Sequence, residues 1–191
     1  MKHIEYEATF PNIKKEDIRK RLIENNAIII HNEQLLKRVA FNLPEKNADA
    51  FVRVRDEFGK TTMTYKNISG NGIEGQKEIE ISIDNFDNGV LILEYIGCKK
   101  KSYQETLRET WQMQSGAMVT IDTWPFLESF IEIEGKDEEV VKNTSSLLGF
   151  EWDSAIFDSV TIQYSRKYGI SKDRINNQTP MIIFDMNNPF L

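Results

Sequence analysis

The sequence predicts an α+β fold built mostly on antiparallel strands. Three observations carry this. Apolar and polar residues alternate with period two in eight short segments. Helical periodicity is confined to the stretches between groups of strands. Gly, Pro or a turn-forming cluster closes many of the segments.

Residues 3–10 alternate strictly, with Ile4, Tyr6, Ala8 and Phe10 against His3, Glu5, Glu7 and Thr9. A helix over 14–26 follows, with Asn12 as its expected cap and Ile18, Leu22 and Ile23 on one face. Residues 34–42 read as a strand that ends before Pro44. Residues 50–57 and 60–67 flank Phe58-Gly59 as a hairpin. A strand over 76–83 precedes a helix over 86–96, which Gly97 terminates. Lys99-Lys100-Lys101 reads as a solvated turn before a strand over 102–113. Gln114-Ser115-Gly116 turns that strand into the next, 117–123. A strand over 128–134 ends at Gly135, and a helix over 137–148 ends at Gly149 with Val140, Val141, Thr144, Leu147 and Leu148 on one side. A helix over 159–168 leads into a polar tail, read as loop apart from a short strand at Met181–Phe184.

A length of 191 residues fits a single domain, with a core over 2–169 and a tail over 170–191. Lys+Arg 24 against Asp+Glu 30 gives a net charge of −6, which argues against general binding to nucleic acid or anionic membranes. One cysteine, Cys98, excludes an internal disulfide framework, and with His3 and His31 the only histidines, a Cys/His metal site is not expected. His3 and His31 read as surface or strand-edge residues, Cys98 as a small apolar filler, and Trp111, Trp124 and Trp152 as core or cover aromatics. The charged start and the absence of a long apolar run predict a soluble, cytoplasmic protein without a spanning helix.

The strand faces carry the functional signal, because residues two apart share a face. Glu5 and Glu7 share one with Thr9, Arg53 shares one with Arg55, and Lys66 with Thr62 and Thr64. Glu78 pairs with Glu80, Arg108 with Thr106 and Thr110, Asp122 with Thr120, and Glu132 with Glu134. Arg38 falls on a face with Leu36 and Ala40. A half-exposed sheet can alternate in this way without function. Seven strands with charge on one face, and carboxylates in doublets, point instead to a curled sheet whose charged faces line one cavity. Like-charged doublets repel unless a cation sits among them. Hard cations take carboxylate oxygens, and Arg and Lys take phosphate. The combination is the chemistry of a metal–polyphosphate site.

The segments Glu5-Tyr6-Glu7-Ala8-Thr9-Phe10, Phe51-Val52-Arg53-Val54-Arg55, Thr62-Met63-Thr64-Tyr65-Lys66, Lys77-Glu78-Ile79-Glu80, Thr120-Ile121-Asp122 and Phe130-Ile131-Glu132-Ile133-Glu134-Gly135 occur in an order that resembles the CYTH superfamily of triphosphate tunnel enzymes. The resemblance implies a closed antiparallel eight-stranded β-barrel with helices outside. It implies that Glu5, Glu7, Asp122, Glu132 and Glu134 bind Mg²⁺ or Mn²⁺, with Glu5, Glu7 and Asp122 at the catalytic centre. Arg53, Arg55, Lys66 and Arg108 would bind the substrate phosphates, with Arg38 as a further candidate, and Glu78 and Glu80 would line the tunnel. Two positions depart from the family pattern: Thr9 stands where the first motif ends in Lys, and Thr106-Leu107 precede Arg108 where a Lys is usual.

The implied activity is metal-dependent hydrolysis of an inorganic or organic triphosphate. The alternatives are a class IV type adenylate cyclase, making cyclic AMP and pyrophosphate from ATP, and a barrel that binds nucleotide or polyphosphate without turnover. The expected partner is a small triphosphate or nucleotide, and the chain is expected to be a monomer or a homodimer.

Overall fold

A computed structural model describes residues 4–45, 50–68, 72–73 and 76–191, and for residues 4, 5 and 76 it describes the backbone alone. His3 therefore lies outside the described residues. The chain runs β1 (Ile4–Phe10), α1 (Lys15–Glu24), β2 (Ile28–Asn42), β3 (Ala50–Glu57), β4 (Lys60–Ile68), β5 (Gln76–Ile83), α2 (Phe86–Tyr95) and β6 (Lys99–Gln112). It continues with β7 (Met118–Thr123), β8 (Phe130–Gly135), α3 (Glu138–Leu147), α4 (Thr161–Tyr168), α5 (Lys172–Asn177) and β9 (Met181–Ile182).

Eight strands pair antiparallel in the order β2-β3-β4-β5-β1-β8-β7-β6, and β9 adds parallel to β6. The sheet curls far enough that β2 and β6, at the two ends of this run, pair with each other from Ile28↔Gln112 to Asn42↔Lys99. The thinnest seam is β1–β5, with the register pairs Ile4↔Lys77 and Glu5↔Gln76. Farther along β1, Thr9 exchanges two backbone hydrogen bonds with Ile156, at 3.1 and 2.9 Å. The segment before α4 thus takes up strand edge that β5 does not reach.

Alternation explains the curl's two surfaces. Ala8 and Phe10 of β1, Val119 and Ile121 of β7, and Ile131 and Ile133 of β8 pack outward against Ile18 and Leu22 of α1 and Val141 of α3. Val39, Phe41, Val52 and Val54 meet Leu93 of α2 and Cys98 in a second cluster. Each fully buried aliphatic or aromatic side chain contributes about 1.5–3 kcal/mol relative to exposure. Burying these residues outward fixes the register, and the same register turns the charged alternates to the concave side. Trp124 and Phe130, on that concave alternation, meet Tyr164, Ile175, Ile182 and Phe190 in a third cluster at one end of the curl.

Several expectations need correction. β2 begins at Ile28 rather than 34: Ile28-Ile29-Ile30 extend the strand through two register shifts, which break the period-two pattern. Lys99–Lys101 belong to β6 rather than to a turn. Asn12 does not cap α1. It has φ 59°, and the cap is Lys14, which makes no side-chain capping bond. Ile23 of α1 and Leu147 of α3 are exposed, leaving Ile18 and Leu22, and Val141, Thr144 and Leu148, as the buried positions of those faces. The tail is not loop outside that strand: α5 orders Lys172–Asn177, the expected strand forms over Met181–Ile182 as β9, and Ile175, Ile182 and Phe190 are buried.

Candidate active site

The concave side encloses a cavity of about 630 Å³, within the range that buries organic ligands of drug size. Its charged groups segregate by strand, except that Glu57 shares β3 with Arg53 and Arg55. Arg38 on β2, Arg53 and Arg55 on β3 and Lys66 on β4 line one wall. Glu7 on β1 and Glu132 and Glu134 on β8 line another, with Arg108 on β6 between them. The registers Arg38↔Arg55 and Glu7↔Glu134 place like charges on adjacent strands, which is costly without a ligand of opposite charge.

Arg108 is the hub of the carboxylate side. Its Nε donates to Asp122 Oδ1 at 2.7 Å, and one terminal nitrogen donates to Asp122 Oδ2 at 2.6 Å and Glu132 Oε2 at 2.8 Å. Glu57 lies 3.5 Å away. Burial opposes the charge on Arg108, but Asp122, Glu132 and Glu57 outweigh it and hold the guanidinium protonated. Asp122 is fully buried and also accepts from Thr120. Both of its oxygens are thus engaged by Arg108, so in this arrangement it neutralises an arginine.

Burial, Glu7 and Asp122 push Glu132 up to about 8. Burial, Glu7 and Glu78 raise Glu134 as well. Among the described residues no group of three or more Asp, Glu, His or Cys is arranged to hold a metal alone. The chemistry of Glu7, Glu132 and Glu134 nevertheless fits a hard cation that completes its shell with phosphate oxygens and water, as Mg²⁺ does. Glu5 occupies the backbone position two before Glu7, and its side chain lies outside the described residues.

On the basic wall, Glu78 lies 3.4 Å from Arg53 and 3.3 Å from Lys66, and these cations outweigh burial to lower its pKa. Glu80 accepts from Thr64 at 3.0 Å. Thr9 is 3% exposed and does not line the cavity, whereas Thr106 lies beside Arg38 and Arg108.

Sequence reasoning missed three contributors. Glu57 bonds Arg55 at 2.7 Å, and Arg55 and Arg108 overcome burial to hold it at about 2. The alternation Arg53–Arg55–Glu57 already contained it. His31 stacks on Phe58 at 4.0 Å and 11°, and both line the cavity, so His31 is a wall residue rather than a bland surface one. Trp124 lies 4.3 Å under Arg38, a long-range contact with no local signature.

Among solved structures, the PH1012 protein of Pyrococcus horikoshii OT3 aligns with a TM-score of 0.70 at 19% identity, covering 82% of this chain and 96% of that one. An adenylate cyclase candidate from Vibrio parahaemolyticus gives 0.70 at 12% identity, covering 86% and 99%. The chain shares the fold of these two proteins. An adenylyl cyclase candidate of Hippeastrum, noted for a dominant triphosphatase activity, gives 0.53 at 13% identity, covering 88% and 97%. These identities speak to fold alone. No family model matches the chain, and no curated protein does. Among the described residues, no helix is long and apolar enough to cross a membrane.

Proposed function

We propose that this protein is a metal-dependent triphosphatase that draws an inorganic or organic triphosphate into the space inside its eight strands, which act as a closed tunnel. The observation that carries the reading is the segregation of Arg53, Arg55 and Lys66 on one wall from Glu7, Glu132 and Glu134 on another, across one cavity. A wall of cations alone would bind any anion, and a wall of carboxylates alone would repel one. Together they suit a polyphosphate that brings a divalent cation with it.

In this reading Arg53, Arg55 and Lys66 bind the non-bridging phosphate oxygens and offset charge that builds on the departing diphosphate. Mg²⁺ or Mn²⁺ held by Glu7, Glu132 and Glu134, with Glu5 beside them, would polarise a phosphoryl oxygen and make bound water more acidic. Arg108 keeps Glu132 and Asp122 in place. The water oxygen would bond to the terminal phosphorus as the bridging P–O bond breaks, the inorganic or organic diphosphate would leave with the bonding electrons, and the water's proton would pass to solvent. Glu78 and Glu80 orient the basic wall. The solved relatives support this reading through the Hippeastrum protein's triphosphatase activity.

The test is release of phosphate and of pyrophosphate from inorganic triphosphate, thiamine triphosphate and ATP, with Mg²⁺ and with Mn²⁺, using Glu132→Ala as the blank. Phosphate release absent from the blank is the expected result. Triphosphate binding with no product would make the tunnel a binding site only. The His31–Phe58 ring pair at the cavity favours a second reading, a cyclase that takes ATP. Pyrophosphate without phosphate would establish it.

A further inference from the structure

Among the described residues, four of the arginines and lysines that line the cavity are matched to carboxylates. Arg108 has Asp122, Glu132 and Glu57, Arg55 has Glu57, and Arg53 and Lys66 have Glu78. Arg38 makes no ion pair among the described residues. Its contacts are neutral: Nε donates to Gln104 Oε1 at 2.7 Å, and the guanidinium carbon lies 4.3 Å over the ring of Trp124.

Its surroundings make that isolation costly. Arg55 stands directly opposite on β3, and β6 offers the uncharged Gln104 and Thr106 on the same face. Burial and the charges of Arg55, Arg53 and Arg108 all disfavour the protonated form, and the smaller opposing effect of Glu132 does not offset them. An arginine does not give up its proton to escape such a site. Gln104 takes Nε and Trp124 takes the flat face, so the planar fork is held still in the wall of the cavity that Arg38 lines. Neutral contacts that fix a fork without neutralising it are the arrangement expected of a preformed oxyanion receptor.

Resting on the triphosphatase reading, we propose that Arg38 is a phosphate-binding residue held ready by Trp124 and Gln104, and that the unliganded protein carries its uncompensated charge until a polyphosphate neutralises it. The bound group is a phosphoryl unit offering two oxygens to the guanidinium edge. Part of the ligand's affinity is then relief of repulsion among Arg38, Arg53, Arg55 and Arg108.

This makes a prediction whose two halves have opposite sign. Arg38→Met keeps an unbranched apolar stem against Trp124 and removes the charge. Thermal melting without ligand should show a midpoint equal to or above that of the wild type. Calorimetric titration with inorganic triphosphate in Mg²⁺ should show affinity lowered about 30-fold or more, the loss seen when a hydrogen-bonded charge contact is truncated. Arg38→Lys keeps the charge without the fork and should fall between. Arg53→Met is the control for the site itself. If wild type does not bind triphosphate, the triphosphatase reading fails. If Arg53→Met loses binding while Arg38→Met keeps it, this inference alone fails. A melting midpoint several degrees lower in Arg38→Met would also overturn it, because Arg38 would then be structural.

Discussion

Replacing Arg108 with methionine removes one side chain and strands two acids at once. Asp122 is fully buried and receives two bonds from Arg108 at 2.7 and 2.6 Å, and Glu132 receives one at 2.8 Å. Breaking a buried pair by removing one partner costs about 3–5 kcal/mol, because the remaining charge is uncompensated. For a chain of this size each kcal/mol moves the melting midpoint by roughly 2–4 °C, so the variant should melt about 6–20 °C lower at pH 8. The deficit should shrink toward pH 4. Arg108 is one of the charges that hold Glu132 down, so without it that pKa rises further, and stability tied to a raised pKa is present at low pH and lost as pH increases. Adding Asp122→Leu to the variant should recover part of the loss at pH 8. Thermal melts of the three proteins from pH 4 to 9 would measure this. An Arg108→Met protein as stable as wild type at pH 8 would refute the hub.

Three other outcomes follow from the same charges. Glu57→Gln removes the carboxylate that competes for Arg55 and Arg108, so triphosphate should bind several-fold tighter by calorimetry. Because Glu57 sits at about 2 against an ordinary 4.5, its stabilisation is present above pH 4.5 and is lost as pH falls toward 2, and acid titration of the two proteins should converge there. Glu132, raised from 4.5 to about 8, destabilises the metal-free protein progressively over that interval as pH rises; Glu132→Gln in EDTA should lose this slope in denaturant melts. Arg19→Met strands the buried Glu109, which accepts from Arg19 at 2.7 Å and from Trp111 Nε1 at 2.6 Å, and should cost about 3–5 kcal/mol in urea unfolding.

The concave face was legible because outward burial of Ala8, Phe10, Ile131 and Ile133 forces Glu7, Glu132 and Glu134 inward, and period two records that in the sequence. Where the ladder is irregular the record is lost. Register shifts at Ile29/His31 and His31/Gln34 hid the first half of β2, and another at Ala40/Phe41 made Lys99–Lys101 resemble a turn. Glu109 alternates onto the outward face like a solvated residue, and only Arg19, 90 positions away, explains its burial. Arg38 was legible as a phosphate candidate, but its neutral partners Gln104 and Trp124 were not. Ile175, Ile182 and Phe190 follow no helical or strand period, yet they close the third cluster.

The most direct measurement of the central claim is calorimetric titration of the wild-type protein with inorganic triphosphate in Mg²⁺, repeated at rising salt and with Lys66→Met. Saturable one-to-one binding, weakened by salt and by loss of Lys66, is the predicted result. No binding at low salt, or binding indifferent to Lys66, would contradict a polyphosphate site in this cavity.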